Sequence, residues 1–129
     1  MVTIIVIGHG KFAIGLKSAL ELIVGKQKNI AFVNFEETDS QEILEKKIRQ
    51  SIKGLKCEDN LLFLTDLVGG TPFKTSAIIS AEFTSTGVVG GVNLPLLLEI
   101  LLHREDMDAS QLVKKAINYG KEGINTFSI

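Results

Sequence analysis

The chain has 129 residues, 45% of them hydrophobic, and its 14 basic side chains nearly balance 15 acidic ones to leave a net charge of −1. That length and composition suit one domain over residues 1–129, with a full core that requires neither metal nor disulfide support. The balance of charge excludes the basic footprint of a protein that binds nucleic acid or an anionic membrane surface.

Single residues narrow the setting further. Cys57 has no second cysteine to pair with; it reads as a half-buried thiol ahead of a strand, and the lack of a disulfide framework suits a reducing compartment. The amino terminus opens on a strand with no basic region before it, which is not the pattern of a signal peptide. The apolar stretch Leu94 to Leu102 is too short to cross a bilayer. A cytoplasmic chain is expected, with no cofactor and no metal site.

Taken in order, strand and helix patterns alternate. Residues 2–8 form an apolar, β-branched run that stops at Gly8-His9-Gly10, a buried strand opening into a tight turn. Leu16, Leu20, Ile23 and Val24 recur at helical spacing through about residues 11–25, and Gly25 closes the helix. Residues 30–35 are a second strand. A second helix over about 40–53 is capped by Asp39 or Ser40 and turns Ile43, Leu44, Ile48 and Ile52 to one face; the run Glu45-Lys46-Lys47-Ile48-Arg49 is its solvated side. Residues 61–66 form a third strand, apolar on both faces and therefore central. Thr71 as N-cap with Pro72 at the first helical position starts a third helix over about 71–82. Residues 87–91 form a short fourth strand. Asn93 and Pro95 start a helix over about 94–104, residues 110–121 form another, and 124–129 have the composition of a last strand.

This order implies an α/β fold, a doubly wound and mostly parallel sheet with helices on both faces. Right-handed crossovers make the expected strand order 2-1-3-4. The first and third strands are then neighbours, and their following helices leave toward opposite faces. The crevice between their carboxyl ends is lined by His9 and Asp66, far apart in sequence and side by side in space.

A carboxylate beside an imidazole selects its tautomer. If Asp66 accepts from Nδ1–H, Nε2 keeps a free lone pair and can attack an electrophile. Next to this pair, Gly69-Gly70-Thr71 brings backbone N–H groups to the start of the third helix, an anion site to which the Thr71 hydroxyl can add a hydrogen bond. Nucleophile, orienting acid and phosphate cradle together suggest phosphoryl transfer through a phosphohistidine. His103, at a helix end, is assigned a structural role. Gly8-His9-Gly10-Lys11-Phe12-Ala13 also satisfies a dinucleotide fingerprint, with Glu36 or Glu37 as the ribose acid. That reading leaves Asp66 and the Gly-Gly-Thr-Pro turn unexplained, and the second half of a dinucleotide fold is missing.

Three blocks, Ile5-Val6-Ile7-Gly8-His9-Gly10, Phe63 to Phe73 and Gly90-Gly91-Val92-Asn93-Leu94-Pro95-Leu96, resemble the enzyme IIA component of the mannose family of the bacterial sugar phosphotransferase system (PTS). They occur in the family's order and extend the resemblance over essentially the whole chain. The resemblance implies that His9 is phosphorylated on Nε2 by the phosphocarrier HPr and passes the group to a IIB component, ahead of the membrane IIC and IID subunits. It implies that Asp66 orients His9 and that Thr71 contacts the phosphoryl group. It also implies a homodimer in which the last strand, Gly123 to Ile129, crosses antiparallel into the partner's sheet. Larger mannose-type proteins carry IIB on the same chain; ending at Ile129, this chain is expected to be a free-standing IIA. Leu67-Val68 departs from the more polar or aromatic pair of some relatives, which bears on contacts with partners. Related domains also serve as the phosphocarrier subunit of a dihydroxyacetone kinase and as regulatory phosphohistidine modules. IIA does not touch the sugar, and only general similarity leans toward an amino sugar.

Overall fold

Burial on both faces makes β1 (Thr3–His9) the centre of the molecule: every residue from Thr3 to Gly8 is buried, and the strand emerges only at His9. The computed structural model describes residues 1–128. After β1 come α1 (Phe12–Val24), β2 (Ile30–Phe35), α2 (Gln41–Gly54), β3 (Leu61–Thr65), α3 (Thr71–Ser80), β4 (Thr86–Val89), α4 (Leu94–His103) and α5 (Ala109–Glu122). The strands form one sheet in the order β2-β1-β3-β4, parallel throughout, as the alternation of elements predicts. None of the described helices is long and apolar enough to cross a membrane.

Side-chain alternation along the strands sorts the core into two layers. Ile4, Val6, Leu62 and Leu64 pack with Leu20, Leu97 and Leu112 under α1, α4 and α5. Ile5, Ile7, Leu61 and Phe63 pack with Leu44, Ile48 and Ile79 under α2 and α3. The helices that follow β1 and β3 therefore lie on opposite faces, and the sheet reverses its winding between these two strands. The strand register pairs Ile7 with Val33 and Thr65, and His9 with Phe35. His9 shares the parity of Ile5 and Ile7, so it projects on the α3 side of the sheet.

Helix starts follow the expected capping chemistry with two refinements. Ser40 caps α2 by accepting from Ile43 N at 3.2 Å, whereas Asp39 accepts from Glu36 N and pairs with Lys47. Asn93 caps α4 and Asp108 forms a capping box with Gln111 at α5. At α3 the N-cap is Gly70, not Thr71; Gly70 takes the extended backbone of a cap residue, Thr71 is already helical, and no side chain caps the helix. The expected last strand is also different. Residues 124–128 have no regular structure: a strand requires a neighbour to pair its backbone groups, and among the described residues none of the strand pairings includes them. Ile129 lies outside the described residues.

Two glycines test this packing in opposite directions. Gly15 is exposed inside α1, and a Cβ placed on it would meet nothing within 4 Å, so Gly15→Ala should stabilise the fold by about 0.5–1 kcal/mol through helix propensity. A Cβ on Gly90 would fall 2.5 Å from Val68 Cγ2 and 2.9 Å from Val68 Cα and N, so Gly90→Ala should destabilise by about 1–3 kcal/mol. Urea unfolding of both variants checks the pair; equal effects of the same sign would contradict the packing described.

Candidate functional site

His9 leaves the sheet where β1 ends, at the point where the winding reverses. Gly10 follows in the left-handed region at φ 57°, and its N–H donates to Phe35 O at 2.8 Å, which extends the β1–β2 ladder one rung past the strand. Asp66 follows β3 directly and reaches across to β1. Its Oδ2 accepts from the His9 backbone N–H at 2.8 Å and lies 2.9 Å from His9 Nδ1. The other oxygen, Oδ1, is buried with no hydrogen-bond partner among the described residues. Both contacts thus converge on one oxygen. The imidazole is 46% exposed and the Asp66 side chain 14%, so the acid is held mostly out of water while the ring faces solvent.

The polypeptide after Asp66 closes in on the ring from the α3 side. Gly69 takes φ 80°, and the turn is tied by Gly70 N donating to Leu67 O at 3.2 Å. That bond occupies the Gly70 N–H, one of the donors expected to be free. Helix geometry still leaves the N–H groups of Thr71 and Phe73 without intrahelical acceptors, while Pro72 has none to offer. A Cβ at Gly70 would stand 3.0 Å from His9 Cε1 and 3.7 Å from Nε2. The lack of a side chain there is what lets the start of α3, with its partial positive charge, sit against the ring. Thr71 is the next residue, partly exposed at the first turn.

The sequence-derived constellation of His9, Asp66, Gly69, Gly70 and Thr71 therefore lies at one place, with the first four in direct or adjacent contact. One neighbour is not evident from the sequence. Phe35, the last residue of β2, faces the imidazole with ring centroids 5.7 Å apart and planes at 70°; the signal that places it there is its shared register with His9. The dinucleotide fingerprint does other work: a Cβ on Gly8 would fall 2.5 Å from Phe12 Cδ1, so this glycine serves strand–helix packing. His103 ends α4 stacked on Tyr119, planes 16° apart, in line with a structural role. Cys57 is partly buried before β3, and burial pushes its thiol pKa up.

Chemically, a neutral imidazole whose Nδ1–H is accepted by Asp66 presents Nε2 as a nucleophile, and protonation or substitution at Nε2 leaves a cationic ring beside the carboxylate. The helix start adjoining Nε2 favours an anion there.

Comparison with known proteins finds relatives over most of the chain. The family model described as PTS system fructose IIA component matches residues 3–117. The PTS system fructose-specific EIIA component of Bacillus subtilis (strain 168) is 37% identical over 113 residues, 88% of this chain and 77% of that protein. The PTS system mannose-specific EIIAB component of Escherichia coli (strain K12) is 34% identical over 126 residues, 96% of this chain but only 39% of that protein. Among solved structures, the crystal structure of phosphotransferase system component EIIA from Streptococcus agalactiae superposes with a TM-score of 0.88 at 35% identity, covering 98% of this chain and 97% of that one. These names give no support to an amino sugar.

The geometry predicts the resting tautomer. With the ring neutral, nitrogen-15 NMR should find His9 with its proton on Nδ1, and Asp66→Ala should shift the ring toward the Nε2–H form. A wild-type ring protonated on Nε2 would contradict the assignment.

Proposed function

This chain belongs to the EIIA-man family of PTS sugar components, and we propose that within it His9 is a phosphocarrier, accepting a phosphoryl group from phospho-HPr and passing it to a IIB subunit during sugar uptake. The observation that carries this reading is the 2.9 Å contact of Nδ1 with Asp66 Oδ2 on a ring that is otherwise 46% exposed, which directs the reactive lone pair of Nε2 outward.

In the uptake step the Nε2 lone pair forms a bond to phosphorus as the phosphorus–nitrogen bond of the donor's phosphohistidine breaks, and that electron pair returns to the donor imidazole. The His9 ring gains positive charge, which Asp66 offsets at short range in a partly desolvated setting. The phosphoryl oxygens lie toward the start of α3, where the N–H groups of Thr71 and Phe73 and the Thr71 hydroxyl are donors. Gly69 and Gly70 allow the backbone that close. Delivery to IIB reverses the bond changes at His9. The reading places the protein in the cytoplasm as a homodimer; Ile124 and Phe127, 77% and 87% exposed in the single chain, are the apolar residues that exchange of the last segment between subunits would cover. The IIC and IID subunits are engaged only through IIB.

Incubation with phosphoenolpyruvate, enzyme I and HPr should label the protein with one acid-labile phosphoryl group, and His9→Ala should abolish it; stoichiometric labelling of that variant would end the assignment. Asp66→Ala should slow uptake about tenfold to a hundredfold, the rate equivalent of one charge-assisted hydrogen bond. Thr71→Ala should slow it about fivefold, as expected for one neutral hydrogen bond. Rapid-quench single turnovers from phospho-HPr measure both, and a rate unchanged in either variant removes that residue from the mechanism.

A further inference from the structure

One hydrogen bond does not fix a ring. The contact between Nδ1 and Asp66 Oδ2 holds one corner of the imidazole, about which the rest can still tilt, and a half-turn about Cβ–Cγ would exchange Nδ1 for Cδ2. On the side of Cε1 the residue is Gly70, whose missing side chain leaves the ring room: a Cβ there would stand 3.0 Å from Cε1, and glycine has none. On the side of the ring facing β2 stands Phe35. Register puts the two residues on one rung of the parallel ladder, with side chains on the same face of the sheet. Their centroids are 5.7 Å apart at 70°, within the range favoured by edge-to-face aromatic pairs.

Phe35 is itself well anchored. Its ring packs against the core layer that contains Ile5, Ile7 and Phe63, and its carbonyl accepts from Gly10 N at 2.8 Å. The same residue thus touches the His9 ring and ties down the backbone immediately after it. Asp66 does the matching task from β3, through the His9 backbone N–H and Nδ1. The imidazole is thus contacted from two strands, by Asp66 at Nδ1 and by the Phe35 ring, while 46% of it stays exposed.

Resting on the phosphocarrier reading, we propose that Phe35 is a positioning residue: its ring keeps the His9 imidazole in the orientation that leaves Nδ1 on Asp66 and aims Nε2 at the incoming phosphorus. It makes no contact with the phosphoryl group. Its effect is to keep the nucleophile aligned, so that alignment need not be found anew in each encounter.

Phe35→Leu and Phe35→Met keep an apolar residue against the core and remove the aromatic contact, whereas Phe35→Tyr keeps it. In the full chain, single-turnover uptake from phospho-HPr should fall about twofold to tenfold in the Leu and Met variants, the range expected for loss of one aromatic pair. The His9 ring signals in nitrogen-15 NMR should broaden or move toward the Nε2–H form. Phe35→Tyr should restore both rate and spectrum. Leu or Met variants that fold and match the wild type in rate and in ring signals would overturn the proposal, as would a folded Tyr variant as slow as the Leu variant. If the wild type takes up no phosphoryl group, the phosphocarrier reading falls, and the ring signals of the same variants still decide whether Phe35 orients His9.

Discussion

Everything at this site depends on β1 being covered on both faces. A strand buried from Thr3 to Gly8 cannot lie at a sheet edge or face water, so it has to pair on both sides and carry helices above and below. Parallel pairing with β2 and β3 aligns the carboxyl ends of three strands. Because α1 and α3 leave toward opposite faces, the backbone parts just beyond β1 and β3. The crevice thus formed is a consequence of packing two core layers, and His9 is the first residue of β1 that the core does not bury.

Strand parity then does the aiming. Successive side chains alternate faces, so the set Ile5, Ile7, His9 shares the side occupied by α2 and α3. One residue more or fewer in β1 would turn the imidazole toward α1, away from Gly70 and Phe35. Asp66 needs no such parity, because it lies past the end of β3 and reaches back to β1. Its Oδ2 receives both the backbone N–H and Nδ1 of His9, so one carboxylate oxygen sets both the position of the residue and the orientation of its ring. The tight approach of Gly90 to Val68 buttresses the following turn from β4, linking the site to the far side of the sheet.

Much of this is legible in the chain. Strand and helix positions, the strand order and the pairing of His9 with Asp66 follow from apolar periodicity, turn residues and the handedness of crossovers. The failures share a cause. Thr71 looks like an N-cap from its residue type, but Gly70 takes the cap position because the Leu67–Gly70 turn, closed by Gly70 N to Leu67 O, brings the backbone into extended form one residue earlier. Phe35 is not singled out within the second strand, since nothing local says that it ends level with His9. The last strand rests on composition, and composition does not supply the neighbouring strand that pairing requires.

By itself, then, the sequence determined the four strands and five helices up to about residue 122, that these strands run parallel, and that a histidine and a carboxylate stand at the ends of adjacent strands; these follow from local periodicity and from chain-handedness rules that hold wherever such patterns occur. Only the tertiary structure decided that a single Asp66 oxygen takes both His9 contacts, that the Gly70 N–H is already engaged, and that the Phe35 ring flanks the imidazole. Those features depend on register and on the path of one short turn, set to within about an ångström by side-chain packing across the whole sheet. No local stretch of residues encodes a distance of that kind.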